Sequence, residues 1–554
     1  MVAPIYIIAI ALGGAFLLPL FEKLGKTIVN TLFLLTIGTF VFISAQWLIG
    51  FLFYHVQPVQ IYTAGLKPPL SINMQMSLQE AVFLTGINTL SLMGGIYLMR
   101  YLNEIGIRGK VLFLLVTLGM NGLVMTRDIF NLFVFIEITS IATYALIGMD
   151  LRLNALTGGF KYMVAGSIAS MFLLMGVIFL YSYSGTLNID GMIHSNILHS
   201  GMSVVVMAIF MVLLSFFIEM KQFPANGWAL DVYQGANPGI AAMISAGTSG
   251  AMFFALYKIM PLAPQNWFMI IAGVGLLTFL ASNWMGIKQT HTTRMLGYSS
   301  VGQMGLLLMV LALGYALDPT FKTFKYIILA LFFNHFFAKA GLYWLAGVVK
   351  KDSIKDWGVL QGRPLLQFLL GLFLLALLGF PPFAGFWGKW SLVMILAEHH
   401  HFWWIGFLLL GSLLEAVYLL RWFGYAVRRT PAEAAEPVKV EGEQHLSLWT
   451  FGLVLIGLGY LFSTHVMPQA GLLYAPLIGT ALLFVLDWLP VKLKGLISIA
   501  LLAGYAYYLL PTLHGINFYF ALLFLVGGAV MLIGSLYRTR RSVCLLYTSP
   551  SPRD

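Results

Sequence analysis

Runs of apolar residues long enough to cross a bilayer recur roughly 17 times along this chain, judged by the ~19-residue window that separates membrane helices from buried ones. Each can traverse the ~30 Å hydrocarbon core as a helix of about 20 residues. They fall near 4–21, 28–53, 80–99, 111–126, 129–149, 160–183, 203–223, 238–260, 267–287, 295–316, 324–347, 365–395, 402–427, 447–465, 471–489, 493–511 and 516–537. Of 554 residues 60% are hydrophobic and 9% charged, where a soluble domain has roughly 45–50% and 25%. Thirty-one basic and 20 acidic side chains cannot cover a water-soluble surface of this size. The fold class is all-α integral membrane, and soluble enzymes, secreted disulfide scaffolds and nucleic-acid binders are excluded. The net charge of +11 is the by-product of basic residues gathering in the loops of one side.

Counting Lys and Arg in alternate loops gives roughly 22 on one side against 5 on the other, the five being Lys67, Arg127, Lys258, Lys322 and Lys325, a strong asymmetry of the positive-inside kind. It puts the N-terminus outside and Arg538 to Arg541 in the cytoplasm. The first run lacks a basic leader and a small-residue cleavage site, so it reads as a retained helix. Arg428 to Gln444, rich in Pro, Ala and Glu, reads as a solvated cytoplasmic loop. The single cysteine, Cys544, opens a terminal string whose composition breaks with everything before it, and residues 544–554 resemble a translated sequencing adapter. No Walker loop, dinucleotide fingerprint, haem-attachment sequence or iron–sulfur spacing is present. His399, His400 and His401 are adjacent on a helix end and point in different directions, a poor ligand set.

Charge at the bilayer centre costs about 2.5–3.5 kcal/mol on insertion scales, so ionisable residues inside the spans are functional candidates. Glu137, Glu219, Lys221, His335, Lys339 and Lys389 qualify. Lys258, at a span end, reads as a lysine reaching to the interface. Pro224 follows Lys221 by three residues, and Pro381-Pro382 shortly precedes Lys389. Proline removes a backbone donor and clashes with the preceding turn, so both spans should be broken. Broken helices at membrane depth occur where they line a buried or hydrated cavity, and a pair of them in corresponding halves points to an ion site built from inverted repeats. His335 and Lys339 are spaced i, i+4, on one helix face, and both can exchange protons.

The segment from about Arg100 to Phe423 resembles the proton-conducting, antiporter-like membrane subunits of respiratory complex I, Mrp cation/proton antiporters and membrane-bound hydrogenases. The strings that carry this are Asp-Ile-Phe-Asn-Leu-Phe-Val-Phe-Ile-Glu ending at Glu137, Trp228-Ala-Leu-Asp-Val-Tyr-Gln-Gly-Ala, and Leu296-Gly-Tyr-Ser-Ser-Val-Gly-Gln-Met-Gly. His335 to Lys339 and Gly-Phe-Pro-Pro-Phe-Ala-Gly-Phe-Trp-Gly-Lys ending at Lys389 complete the set. The Asp231-Val-Tyr-Gln-Gly-Ala string looks most like the N-type subunit of complex I. The resemblance implies a 14-helix antiporter-like core with two inverted five-helix repeats and broken helices, here followed by about three extra C-terminal transmembrane helices. It divides the chain into N-terminal helices (1–99), a core (100–427, repeats about 111–260 and 267–427), a loop (428–446) and C-terminal helices (447–541). It makes Glu137 the fifth-helix glutamate, His335 and Lys339 the central relay, and Lys389 the terminal exchanging residue. Family spacing from Trp228 puts Glu219 at the seventh-helix lysine position, whereas a register shift at Pro224 restores Lys221; both stay open. Ser249 and Gly250 stand near the place of the eighth-helix lysine found in many members.

The implied function is a proton-translocating subunit of a redox-driven pump of the NADH:quinone oxidoreductase type. The alternatives are a D-type subunit of a Mrp Na⁺/H⁺ antiporter, a membrane-bound hydrogenase subunit, or an anchor that has lost transport. No cofactor is expected in this chain; flavin, iron–sulfur clusters and quinone belong to partner subunits. The expected partners are other membrane and redox subunits and the lipid bilayer, in a prokaryotic inner membrane, with protons or Na⁺ as the moved ion.

Overall fold

The computed structural model describes residues 1–195, 202–318, 320–428 and 440–466, with a few isolated positions besides. The three C-terminal spans expected after residue 471, most of the 428–446 loop and the string from Cys544 lie outside the described residues, apart from those positions.

Helix α1 (Ile5–Leu17) is followed by α2 (Lys26–Phe53) and a short antiparallel hairpin of β1 (Val59–Tyr62) and β2 (Asn73–Met76). Then come α3 (Leu78–Tyr97), α4 (Met99–Glu104), α5 (Ile107–Met125), α6 (Ile129–Gly148), α7 (Leu153–Ser184), α8 (Ile189–Ile193), α9 (Ser203–Glu219) and α10 (Gly227–Gly235). Helix α11 (Pro238–Ala242) continues through a π-helical turn (Met243–Thr248) into α12 (Ser249–Ile259). The rest are α13 (Phe268–Ile287), α14 (Thr292–Leu317), α15 (Lys322–Val349), α16 (Pro364–Leu378), α17 (Ala384–Glu398), α18 (Phe402–Val427) and α19 (Gly442–Val466). Among the described residues, 11 helices are long and apolar enough to cross a membrane. The chain is an all-helical membrane protein as expected; the hairpin occupies a loop between spans, where hydropathy windows say nothing about strand pairing.

The span Pro238–Leu262 is wholly buried, and α14 and α15 nearly so; these three make the centre, while α1, α2, α7 and α18 turn large apolar side chains outward. Lipid tails provide no hydrophobic drive between helices, so close backbone packing has to hold them together. At the α13–α14 crossing a Cβ on Gly305 would stand 2.7 Å from the Gly275 carbonyl oxygen, so only glycine permits that approach.

Two interruptions and two loop contacts set the geometry. Helix α9 ends at Glu219, Lys221 takes a left-handed conformation (φ 61°), and the chain passes Pro224 into α10. A left-handed non-glycine residue costs roughly 1–2 kcal/mol. The span expected at 203–223 is therefore half a broken helix, and the polar stretch after it is the other half, wedged between α7 and α14. The single span expected at 365–395 is likewise two helices, α16 closing on Gly379 (φ 75°) before α17 begins. Isolated bridges join Asp128 to Asn188 and His291 to Ser353.

Lys258 does not reach the interface. It is 3% exposed, and its Nζ donates to the carbonyls of Leu123 (2.7 Å), Val124 (2.9 Å) and Thr126 (2.6 Å). Those carbonyls, freed at the end of α5, hold the lysine more firmly than interfacial water would. Arg421 on α18 does the same to α13, donating to the Gln289 carbonyl at 2.7 Å.

Candidate functional site

At the first break, the Lys221 ammonium is buried and donates to Ser249 Oγ at 2.6 Å and Tyr233 Oη at 3.0 Å. The lysine of the break is thus held by a hydroxyl of α12 and a phenol of α10. Glu219 is also buried, beside Gly166 of α7, and its Oε1 makes no hydrogen bond among the described residues. Both side chains line a cavity of about 10 Å³ together with Ser140, Tyr162, Thr248 and Ser249, at the lower limit for one water. Glu137 is half-buried on α6 and accepts a hydrogen bond from Ser170 of α7. Neither Glu219 nor Lys221 bonds to it; Lys221, past the end of α9 in a left-handed conformation, turns to Ser249 and Tyr233, while Glu219 lies beside α7.

From Lys221 a row of hydroxyls leads inward. Tyr233 Oη lies 3.4 Å from Ser300 Oγ, and Ser300 Oγ 2.7 Å from Ser245 Oγ. The backbone of Ser245 stands beside the His335 ring, whose two nitrogens are buried and form no hydrogen bond among the described residues. One turn along α15, the fully buried Lys339 donates to the Leu296 carbonyl at 3.3 Å. His335 and Lys339 share a face as expected, without a direct hydrogen bond between them. A basin of about 730 Å³, walled by Arg100, Asp150, Arg152, Lys350 and Asp352, opens at one end of the bundle and reaches Thr293 and Gly347, the latter about two turns of α15 beyond Lys339.

At the second break, Lys389 sits in the second turn of α17 and folds back over Gly379 to the Leu378 carbonyl, 3.4 Å away. That carbonyl is one of those freed at the end of α16, the negative end of its dipole. Asn334 of α15 donates to another, that of Ala376, at 2.7 Å. Near them is Glu415 of α18, a helix that packs against both α16 and α17 and whose carboxyl group bonds Ser299 and Gln303 of α14.

The family described as "NADH:quinone oxidoreductase/Mrp antiporter, TM" matches residues 126–415, more than half of the chain. The chain belongs to that family. It is an antiporter-like membrane subunit of the complex I and Mrp type, a multi-pass membrane protein of multi-subunit bacterial and archaeal complexes. Subunit N of the NADH-quinone oxidoreductase of Desulforudis audaxviator is 30% identical over 382 residues, covering 66% of this chain and 74% of that one. Subunit 2 of the NAD(P)H-quinone oxidoreductase of Thermosynechococcus vestitus is 30% identical over 412 residues, covering 72% and 78%. Among solved structures, a chain of the membrane-bound sulfane sulfur reductase, an archaeal respiratory complex, superposes with a TM-score of 0.75 at 27% identity, covering 83% of this chain and 94% of that chain. Chains of the Mrp complex from Dietzia (0.73, 20% identity, covering 83% and 95%) and of complex I from Thermus thermophilus (0.67, 22%, covering 82% and 97%) share the fold.

For an antiporter-like subunit the polar residues that sequence reading left out matter as much as those it named. Tyr233, Ser245, Ser249 and Ser300 complete the row, and only the fold shows that they meet. Glu415 had a usable signal: it is the one acidic residue in the apolar run from Phe402 to Val427, where any charge is expensive.

Proposed function

We propose that this subunit translocates protons in a redox-driven pump resembling NADH:quinone oxidoreductase. The observation that carries the reading is the buried row from Lys221 to Lys389, a set of exchangeable N–H and O–H groups crossing an otherwise apolar core. Hydroxyls both donate and accept, so Tyr233, Ser300 and Ser245 can pass a proton from the Lys221 ammonium toward the free nitrogens of His335. Lys339 and Lys389 continue the axis to the second break. Glu137 on the perimeter supplies negative charge at its start, and the basin reaching Thr293 supplies water near its middle. The curated relatives are subunits of quinone oxidoreductases, which favours a redox source of energy over a cation gradient.

In this reading the core follows two inverted five-helix repeats, about 111–260 and 267–427, within a 14-helix framework. Three correspondences support it. The breaks after α9 and α16 fall at matching places. The Asp128–Asn188 and His291–Ser353 bridges join matching loops. Lys258 and Arg421 close the ends of matching helices, α5 and α13. The N-terminus lies outside and the basin faces the cytoplasm. In this reading flavin, iron–sulfur clusters and quinone belong to partner subunits.

Purification of the tagged chain from its native host in mild detergent, with mass spectrometry and an absorbance spectrum, tests the assignment. Flavin- and iron–sulfur-bearing subunits should travel with it. Small hydrophobic partners alone, with no chromophore, would transfer the chain to the Na⁺/H⁺ antiporters.

A further inference from the structure

Glu415 is 0% exposed and lies in a span whose outer face is apolar. Its Oε1 accepts from Ser299 Oγ and its Oε2 from Gln303 Nε2, both at 2.6 Å. Both oxygens therefore serve as acceptors, the pattern of a carboxylate in its charged form. Ser299 and Gln303 are one turn apart on α14, so the two donors fix the carboxyl group against a single helix face. The ion pairs among the described residues are all made by other side chains. Yet Lys339 reaches the Leu296 carbonyl, one turn of α14 from Ser299, and α17, which carries Lys389, packs against α18; among the described residues the hydrogen bonds of both lysines go to carbonyl oxygens.

This arrangement differs from a structural salt bridge. A buried carboxylate bonded to one lysine would trap that lysine's proton. One held on neutral donors, off to the side of two lysines, favours a proton on either without binding it to one. An isolated charge in the low-dielectric interior is costly, so a proton passing from Lys339 to Lys389 with no nearby anion would create and then destroy an uncompensated charge at each step.

We propose that Glu415 is the shared counter-charge of the second lysine pair, its carboxylate compensating the single proton that Lys339 and Lys389 hold between them. The proton balance is simple: an N–H bond at Lys339 Nζ breaks, an N–H bond at Lys389 Nζ forms, and the group of three is neutral before and after. Ser299 and Gln303 are positioning residues that hold the carboxylate on α14, beside the two lysines. The adjacent Ser300 of the same helix faces Ser245 and Tyr233, so neighbouring serines of α14 serve the two halves of the axis.

The inference rests on the proton-translocation reading, and the experiment separates the two. Glu415→Gln, Glu415→Met, Glu415→Asp and Lys389→Ala are built in the native complex. Assembly is measured on native gels, and proton uptake per electron turnover in inverted membrane vesicles. Glutamine preserves size and hydrogen bonding, methionine preserves volume, and both remove the charge. The expected result is full assembly of both neutral variants, proton uptake lowered about tenfold or more, and recovery of at least half of the wild-type value in the aspartate variant. If a neutral variant pumps like the wild type while Lys389→Ala does not, the counter-charge role is wrong and the proton reading stands. Should Lys389→Ala also pump normally, the proton reading itself fails. If neither neutral variant assembles, Glu415 is a folding residue and the proposal is overturned.

Discussion

At the first break Lys221 occupies the interruption itself, in a left-handed backbone conformation, and gives its ammonium hydrogens to two hydroxyls. At the second, Lys389 stands in the second turn of the following helix and reaches back to a carbonyl, with a carboxylate beyond it. Both lysines exploit the backbone groups that a broken helix leaves unpaired. They differ in how their charge is compensated. In the first half Glu219 lines one small cavity with Lys221, whose ammonium goes to hydroxyls instead, and Glu137 is half-buried on α6, while in the second Glu415 is held on the two neutral donors of α14. Measured from the two loop bridges, Glu137 and Ser300 stand at equivalent places, Asp128 beginning one count and His291 the other. The lesson is that a repeated backbone can keep the position of a break and still redistribute the charges around it.

Replacing Lys221 by methionine is the strongest challenge to the hydroxyl-held half. It removes two charge-assisted hydrogen bonds worth roughly 1.5–3 kcal/mol each, and proton uptake per turnover in inverted vesicles should fall by about a hundredfold in an assembled complex. Normal uptake would place the conducting group elsewhere, with Glu219 next to be tested.

Lys258→Met and Arg421→Met compare the halves by stability. The first strips three carbonyls of their donor and the second one, so thermal unfolding should cost about 2 kcal/mol or more for Lys258 and about 1 kcal/mol for Arg421. Uptake per assembled complex should stay unchanged in both. A pumping defect in Lys258→Met would make that lysine part of the axis.

Ser249→Ala leaves Lys221 with Tyr233 alone, a loss of about 1 kcal/mol. Uptake should drop about fivefold, and Ser249→Thr should restore it. Equal rates for alanine and serine would show that the α12 hydroxyl is only packing.

The smallest effect concerns the loop bridges. Burial, aided by Arg294, holds the His291 imidazole below its usual 6.5, against the pull of Asp352. A histidine that resists protonation in the folded state contributes stability above 6.5, and that contribution is lost as pH falls below it. The unfolding temperature of the complex should therefore decline on acidification, and less steeply in His291→Gln. An unchanged slope would remove His291 from the account.

The spans and the two breaks were legible because lipid imposes one length on every crossing helix and proline cannot be accommodated silently in the middle of one. The candidate residues Glu137, Lys221, His335, Lys339 and Lys389 stood out because charge is rare at such depth. Lys258 was misjudged for the converse reason: sequence position tells how deep a residue lies along its own helix, but the three carbonyls that hold it belong to α5. The polar stretch after Pro224 hid a helix, α10, because hydropathy records burial in lipid and α10 is buried in protein, between α7 and α14.

By itself the sequence determined that this chain lives in a bilayer, where two helices break, and which charges lie inside. These follow from the composition and spacing of single segments. Tertiary structure alone decided that Lys221 meets Ser249 and Tyr233 rather than Glu137, that Ser300 and Ser245 bridge toward His335, and that Glu415 is held by Ser299 and Gln303 of α14. Hydrogen bonds act over about 3 Å, so which residues form them depends on how separate helices pack and rotate, and no single segment carries that information.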